Sequence, residues 1–363
     1  MSRTQLKAIC HKGSSSLRQK DVANDGPYAI YGAPGIIGYS STYQFEHPYL
    51  AVVKDGAGVG RVMVCEAKSS VLGTMQAIKP NDGVDLYYLQ HLLKAMNLSS
   101  YYTGATIPHI YFKDYGNASV SLPSLSEQKA IAAVFRKHGQ LVEQYERMLE
   151  MLDELVKSRF VEMFGDPIDE SSSWPKLAIK DFCTLKIGPF GSSLHKQDYI
   201  TGGHPLVNPS HIADGKIVPA NDLTISEEKY QEMEAYHLEP GDVVLGRRGE
   251  IGRCAVVYSS GYLCGTGSMI VRPSDKCRPD YLQRVLSFPS FKDALERNAV
   301  GQTMKNLNAK IVGQAVVALP SINAQNEFAA FVQQVDKLEF ETQQAIDKLQ
   351  TLYDSLAQEY FGE

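Results

Sequence analysis

The chain repeats itself once. Leu122–Phe135 (LPSLSEQKAIAAVF) matches Leu319–Val332 (LPSINAQNEFAAFV), which sets Gln128 on Gln325 and Ala132-Ala133 on Ala329-Ala330. The register continues downstream, with Leu141 on Leu338, Leu152 on Leu349, Leu155 on Leu352 and Phe164-Gly165 on Phe361-Gly362. Upstream, Gly104 and Thr106 fall on Gly301 and Thr303, Tyr88-Leu89-Gln90 on Tyr281-Leu282-Gln283, and Gly60-Arg61 on Gly252-Arg253. Near the start, Cys10 and Leu17 echo Cys183 and Leu194. Self-similarity of this length means one structural unit used twice. The slowly drifting offset is absorbed by small loop insertions, most of them early in the second copy.

Each copy has the same internal order: a variable region rich in Gly, Tyr and Val, then a long charged segment with helical apolar spacing. In the second segment Phe328, Val335, Thr342, Leu349 and Leu356 recur every seven residues beside Phe331, Leu338, Ala345 and Leu352. The first does likewise with Phe135, Val142, Leu149 and Val156 beside His138, Tyr145 and Leu152. These are a/d seams of the coiled-coil kind. Ser124-x-x-Glu127 reads as a capping box at the first start, and Ser321-x-x-Ala324 as a weaker version at the second. A helix of about 40 residues is about 60 Å long, too long to bury a narrow seam on one small globule. Each therefore needs a partner helix, and the other copy supplies it. A pseudo-two-fold axis pairs the two helices antiparallel and puts the variable regions at opposite ends. Phe160, Met163, Tyr353 and Tyr360 are the seam residues expected to stay exposed for a docking partner.

The copies are divided by GDPIDESSSWP, Gly165–Pro175, where Gly, Pro and a Ser run stop a helix. The expected domains are 1–120, a first spacer helix over 121–165, a linker over 166–175, a second domain over 176–318 and a second spacer helix over 319–363. The expected fold class is α+β: two mixed α/β domains in pseudo-two-fold repeat, separated by an antiparallel two-helix coiled coil.

The 363 residues carry a net charge of −5, which at first argues against nucleic acid, since phosphate binding draws on Lys and Arg. The average misleads. Residues 1–120 are at +3 and 176–318 at +2, whereas 121–175 are at −4 and 319–363 at −6. Basic ends are joined by an acidic spacer, which suits phosphates at the ends and a protein partner between them. The six cysteines form no C-x-x-C pair, so neither a disulfide framework nor a zinc cluster is expected and the thiols read as reduced and structural. No run of 18 apolar residues and no apolar signal core occurs, so the chain is expected to be cytoplasmic, without a membrane segment.

Polar loops carry the binding chemistry. Gly246–Val257 (GRRGEIGRCAVV) sets Arg247 and Arg248 between glycines after an apolar strand, a shape suited to close approach to a phosphate or a guanine edge. The equivalent first-copy loop has Lys54 and Asp55 in their place, so the two copies are not expected to read the same thing. Gly191–Lys196, Asn208–His211, Gly301–Asn306 and Thr103–His109 also mix side chains able to bond base edges or phosphates.

Four features occur in order along the chain: duplicated LP-x-x-x-x-Q-x-x-x-AA helix starts, YAIYGAPGIIGY (Tyr28–Tyr39), PGDVVLGRRGEIGR (Pro240–Arg253), and GATIPHI with its counterpart GQTMKNL. Together they resemble the specificity subunit of a type I restriction-modification system, and the resemblance covers nearly the whole chain. It implies two target recognition domains that each read one half of a split double-stranded DNA sequence, with the helices setting the half-site separation. It further implies modification subunits using S-adenosylmethionine and restriction subunits using ATP and Mg2+, with no cofactor or metal on this chain. Carried over to loops, the resemblance implies Lys12, Ser14, Ser15, Tyr31, Lys54, Arg61, Thr106 and His109 at the first half-site. At the second it implies Ser192, Ser193, His195, Lys196, Asn208, His211, Arg247, Arg248, Lys305 and Asn306. The first copy departs from the family in having little sequence before Leu6 and in lacking the arginine pair.

No catalytic residue is expected. Asn208-Pro209-Ser210-His211 lacks the second proline and the aromatic of an adenine methyltransferase motif. Glu227-Glu228-Lys229 is an E-x-K in a charged run with no Pro-Asp upstream, and no G-x-x-x-x-G-K-[ST] is present. The competing class is a coiled-coil scaffold without sequence-specific DNA binding. The bases recognised, the gap between them and the presence of a restriction subunit are not written in the residues.

Overall fold

A computed structural model describes residues 2–22, 24–56, 58–102, 108–189, 193–249, 251–298 and 306–362. The chain divides into two compact units, Met1–Met148 with Thr342–Glu363, and Leu149–Glu341. Two 40-residue helices, Leu125–Phe164 and Ile322–Phe361, are each shared between the units.

In the first unit a four-stranded antiparallel sheet runs in the order Cys10–Gly13, Met75–Pro80, Tyr49–Val53, Val62–Cys65. Tyr49–Val53 is buried at every position, as befits a strand covered on both faces. A second sheet sets Gly35–Ser40 antiparallel to Tyr28–Gly32, which pairs in parallel with Ser70-Val71. Helix Leu86–Ala95 lies against the core with Tyr88, Leu89, Leu92 and Leu93 buried. Ser2–Gln5 pairs with Ser119–Leu122 and brings the chain to the first long helix.

The second unit repeats the plan. Its four-stranded sheet is Cys183–Ile187, Ser268–Pro273, Val243–Gly246, Cys254–Val256, with helix Pro279–Ser287 in the place of Leu86–Ala95. Its second sheet is larger, with five short strands, yet it keeps the parallel pair, Leu206 on Leu263. Lys176–Ala178 pairs with Val316–Ala318 ahead of the second long helix. All six cysteines are buried and free, as expected of reduced structural thiols.

The repeated LP-x-x-x-x-Q motif has a structural cause. Gln128 is 1% and Gln325 0% exposed, yet every polar atom of both is satisfied. Gln128 Oε1 accepts from Asp85 N at 2.8 Å while Nε2 donates to Pro123 O at 2.9 Å and Gly83 O at 3.2 Å. Gln325 does the same with Arg278 N at 2.7 Å, Pro320 O at 2.8 Å and Lys276 O at 3.1 Å. Each glutamine joins a long helix to the loop that enters its unit's core helix. The repeated tyrosine adds a second tie: Tyr88 Oη donates to Ser121 O at 2.8 Å and Tyr281 Oη to Ala318 O at 2.7 Å. Ser124 and Glu127 form the capping box, with Glu127 accepting from Ser124 N at 2.8 Å, and Ser321 accepts from Ala324 N at 3.4 Å as its weaker counterpart.

Within each unit the two long helices pair antiparallel. In the first, His138 donates from Nε2 to Leu349 O at 2.8 Å, and Phe135 lies 5.2 Å from Tyr353 and 5.6 Å from Phe361 between ring centroids. In the second, Phe160 meets Phe328 at 5.5 Å and Arg159 pairs with Glu327 at 3.2 Å. The first helix keeps its predicted seam. The second departs from it in one column, because Leu338 and Leu352 are 49% and 47% exposed while Val332, Glu339, Ile346 and Tyr353 face inward. Four-residue steps after Phe328, Val335 and Thr342 keep closer to the 3.6-residue turn than the expected three-residue steps.

The residues expected to remain open for docking are covered instead. Phe160 is 2% exposed, Met163 packs on the second unit's core, and Tyr353 and Tyr360 pack on the first unit's core. Each unit uses the helix ends as core, because a ring there buries more apolar surface than it could at a two-helix seam.

Replacing Gln128 or Gln325 by leucine leaves buried backbone groups unpaired, and each variant is expected to lose about 1–3 kcal/mol of stability, read from urea unfolding. His91, stacked on Phe135 at 4.6 Å, is held down to a pKa of about 4, by burial first and then by Lys94 and His138. Below the unfolded value of 6.5 the unfolded chain takes a proton that the folded one refuses. Stability is therefore expected to fall between pH 6.5 and about 4, and His91→Phe should flatten that slope in thermal unfolding.

Candidate nucleic-acid interface

The loop that follows the third strand of the four-stranded sheet is built alike in both units. Val53 N bonds Arg61 O at 2.9 Å, as Gly246 N bonds Arg253 O at 2.8 Å. Lys54 N bonds Thr74 O at 3.2 Å, as Arg247 N bonds Gly267 O at 2.9 Å. A segment far along the chain then crosses the loop: Ile110 N donates to Lys54 O at 2.9 Å, and Leu307 N to Arg247 O at 3.0 Å. The crossing makes a single antiparallel bridge in each unit, Asp55 with His109 and Arg248 with Asn306. The equivalence extends to glycines with positive φ, Gly56 (+83°) with Gly249 (+75°) and Gly60 (+88°) with Gly252 (+87°). A Cβ on Gly60 would stand 2.7 Å from Ser99 N, so this turn needs glycine for space as well as for conformation.

On this common backbone the side chains differ. In the first unit His109 Nδ1 is 2.6 Å from Asp55 Oδ1, and Lys54 Nζ is 3.9 Å from Asp55 Oδ2. The His109 and Asp55 side chains are 37% and 26% exposed, open enough for a ligand. Tyr111 stacks beside His109 at 6.5 Å and carries Lys113 Nζ over its ring at 5.3 Å, an aromatic and basic shelf with no forewarning in the loop reading.

In the second unit the two arginines part company. Arg247 is only 6% exposed and donates from Nε to Asn306 Oδ1 at 3.1 Å. Burial, and then the charge of Arg248, lower its pKa from the ordinary arginine value. Arg248, one residue on, is exposed. Asn208–His211 packs beside this loop: a Cβ on Gly246 would meet Pro209 Cβ at 3.2 Å, and one on Gly265 would meet Asn208 Oδ1 at 2.1 Å. His211 is spent on the turn itself, with Nδ1 donating to Leu206 O at 2.7 Å.

The structure thus brings Lys54 and His109 together in one unit, and Asn208, Arg247, Arg248 and Asn306 in the other. Lys12 and Ser14 are exposed at the end of the edge strand Cys10–Gly13, and Arg61 is exposed on its loop with Nε 3.4 Å from Gly58 O. Ser193, His195 and Lys196 are exposed ahead of the five-stranded sheet, and His195 is held locally, its backbone N donating to Asp198 Oδ2 at 2.6 Å. Two residues are not where a loop reading puts them. Tyr31 lies in a strand, 7% exposed, with its hydroxyl accepting from Glu66 N at 3.4 Å, because Tyr28–Gly32 is covered on both faces and Ala29, Ile30 and Tyr31 all join one buried cluster. Ser15 is half-buried and its hydroxyl donates to Val71 O at 2.5 Å while accepting from Gln44 Nε2 at 2.9 Å. Thr106, Ser192 and Lys305 lie outside the described residues. Asp55 was missed, although its place opposite Arg248 in the repeat marks it. The E-x-K run is taken up locally, Glu227 with His204 at 2.6 Å and Lys229 with Glu232 at 3.0 Å.

Comparison with known proteins gives consistent results. A family model described as "Type I restriction modification DNA specificity domain" matches residues 3–151 and 171–351. The MjaVIII specificity subunit of Methanocaldococcus jannaschii is 22% identical over 78% of this chain and 71% of its own length. The EcoKI specificity subunit of Escherichia coli K12 is 23% identical over 79% of this chain and 67% of its own. The crystal structure of the type I restriction-modification S subunit from M. genitalium superposes with a TM-score of 0.59 at 15% identity, over 100% of this chain and 96% of that one. At that identity it speaks for the fold.

Arg247 and Arg248 should separate in stability measurements. Asn306→Ala strands a buried guanidinium Nε–H and is expected to lower stability by about 1–3 kcal/mol. Arg248→Ala should change it by less than about 0.5 kcal/mol, both read from denaturant midpoints.

Proposed function

The chain belongs to the type I restriction-modification DNA specificity family, and from that membership we infer that it reads a split double-stranded DNA target, one half with each repeat unit. It carries no catalysis of its own and directs adenine methylation and ATP-dependent cleavage by partner subunits. The observation that carries this reading is the crossed loop, one backbone used twice with Lys54, Asp55 and His109 in one unit and Arg247, Arg248 and Asn306 in the other. Identical scaffolds with different polar side chains suit two different half-sites, since backbone contacts position and side chains at base edges specify.

The remaining parts follow the family. Modification subunits holding S-adenosylmethionine bind the acidic long helices, where Met148, Met151, Leu155 and Phe340 are 45%, 72%, 47% and 63% exposed. Restriction subunits add ATP and Mg2+ chemistry, and this chain needs neither cofactor nor metal. Among the described residues no helix is long and apolar enough to cross a membrane, and a role on chromosomal and invading DNA places the work in the cytoplasm.

Long-read sequencing of modified bases tests the reading, in cells that express this chain with its neighbouring modification subunit and in cells that lack it. Methylated adenines at one split motif with a constant gap are expected only when the chain is present. A complex that assembles yet adds no chain-dependent methylation would overturn DNA reading and leave the scaffold alternative.

A further inference from the structure

We propose that the bridge across each crossed loop reads a base edge, and that the two units read bases of opposite hydrogen-bonding character. Arg248 in the second unit takes a guanine, while the Asp55–His109 pair in the first takes a base that presents an exocyclic amino group, cytosine or adenine. The proposal rests on the DNA-reading function stated above and adds the chemical class of base at one position in each half-site.

The two positions are equivalent by geometry, through the same crossing bond (Ile110 N to Lys54 O at 2.9 Å, Leu307 N to Arg247 O at 3.0 Å) and the same single bridge. Their chemistry is inverted. Asp55 is an acceptor, and with Asp55 Oδ1 at 2.6 Å a neutral His109 carries its proton on Nδ1 and presents Nε2 as a second acceptor. Arg248 has donors only, and Asn306, whose oxygen accepts from Arg247 Nε at 3.1 Å, adds its two amide donors. Buried Arg247 is a positioning residue here, holding Asn306, whereas partly exposed Asp55 both faces the base and fixes the ring of His109.

A carboxylate facing a phosphate is repelled, so a DNA-facing position that holds Asp55 in one unit has to meet a base edge and not the backbone. The equivalence carries that placement to Arg248. In the major groove the two-acceptor edge is guanine, O6 with N7, which the arginine fork matches, whereas an acceptor set matches the amino group of cytosine N4 or adenine N6. The space beside Arg248 is open among the described residues, since even a Cβ on Gly249 would meet nothing within 4 Å.

The test uses the assembled methyltransferase complex. With the wild-type chain the methylated motif is first read by sequencing; absence of any chain-dependent split motif would sink the DNA-reading function itself. Given a motif, Arg248→Gln is expected to relax one guanine in one half only, and Asp55→Asn to relax one adenine or cytosine in the other half only. Should either variant fail to assemble, the wild-type complex is measured on duplexes in which each guanine is replaced in turn by 7-deazaguanine. One guanine should then cost roughly 5- to 150-fold in affinity, as expected for losing an arginine-to-guanine contact. A motif without guanine, variants that leave the motif unchanged, a uniform loss at all sites with a shallower salt dependence, or 7-deazaguanine tolerated at every position would each overturn the proposal while leaving DNA reading intact.

Discussion

A forty-residue helix with one apolar face is unstable in water until something covers that face, and this requirement organises the whole molecule. Each unit closes its core with the start of one long helix and the end of the other: Ile131, Ala132 and Phe135 with Tyr353, Leu356 and Phe361 in the first, Val156, Phe160 and Phe164 with Phe328, Val332 and Val335 in the second. The first unit is therefore not complete from a continuous stretch of sequence, whereas the second is the single stretch Leu149–Glu341, which takes in the end of the first long helix and the start of the second. Fully burying a side chain of this size contributes about 1.5–3 kcal/mol, so the ring clusters outweigh any single polar contact at the seam. The buried glutamines then supply what apolar burial lacks, a directional tie between the helix start and the loop ahead of the core helix.

The repeat preserves backbone bonds more faithfully than side-chain chemistry. Asp242 in the second unit is 1% exposed and held by a bidentate Arg272, at 2.6 and 2.8 Å. The matching places in the first unit are Tyr49, stacked on Phe45 at 4.3 Å, and Lys79, with Nζ 4.9 Å over the Phe45 ring. An ion pair between a buried carboxylate and a partly exposed arginine has become an aromatic cluster with a cation on its face, and the sheet order is unchanged. Pair interactions of such different kinds can fill one place because the surrounding strands set the geometry. Variation at the crossed loops is of the same sort, at positions where solvent can enter.

Much of this was legible in the residues. Self-matching found the two units, and the Gln128 and Gln325 columns now have a cause in backbone satisfaction. Heptad counting found both helices and their antiparallel pairing, but placed Leu338 and Leu352 inside because a strict seven-residue repeat ignores the 3.6-residue turn. It also left Phe160 and Tyr360 open, since the count knows nothing of the globular surface that covers them. The loops offer Lys54, His109, Arg247, Arg248 and Asn306 separately, and these come together within their units only because Ile110 and Leu307 bond back across more than fifty residues. Tyr31 and Ser15 owe their burial to tertiary surroundings that a loop does not announce, and Asp55, although it stands opposite Arg248 in the repeat, is an acid and so carries no mark of phosphate binding in its residue type.

The division of labour between adjacent arginines shows why a doublet at a loop tip cannot be read as two contacts. Successive side chains on extended backbone point to opposite sides, so one of any pair turns inward. Here the inward one, Arg247, gives up solvation and meets an amide oxygen, an arrangement that costs more to break than to keep. In return it fixes Asn306 and, through the bond from Leu307 N to its own carbonyl, the segment that crosses the loop. The outward one, Arg248, inherits a rigid base and an unobstructed glycine neighbour. With the backbone on both sides of the loop already fixed, the ordering cost of any contact made here is confined to the Arg248 side chain itself.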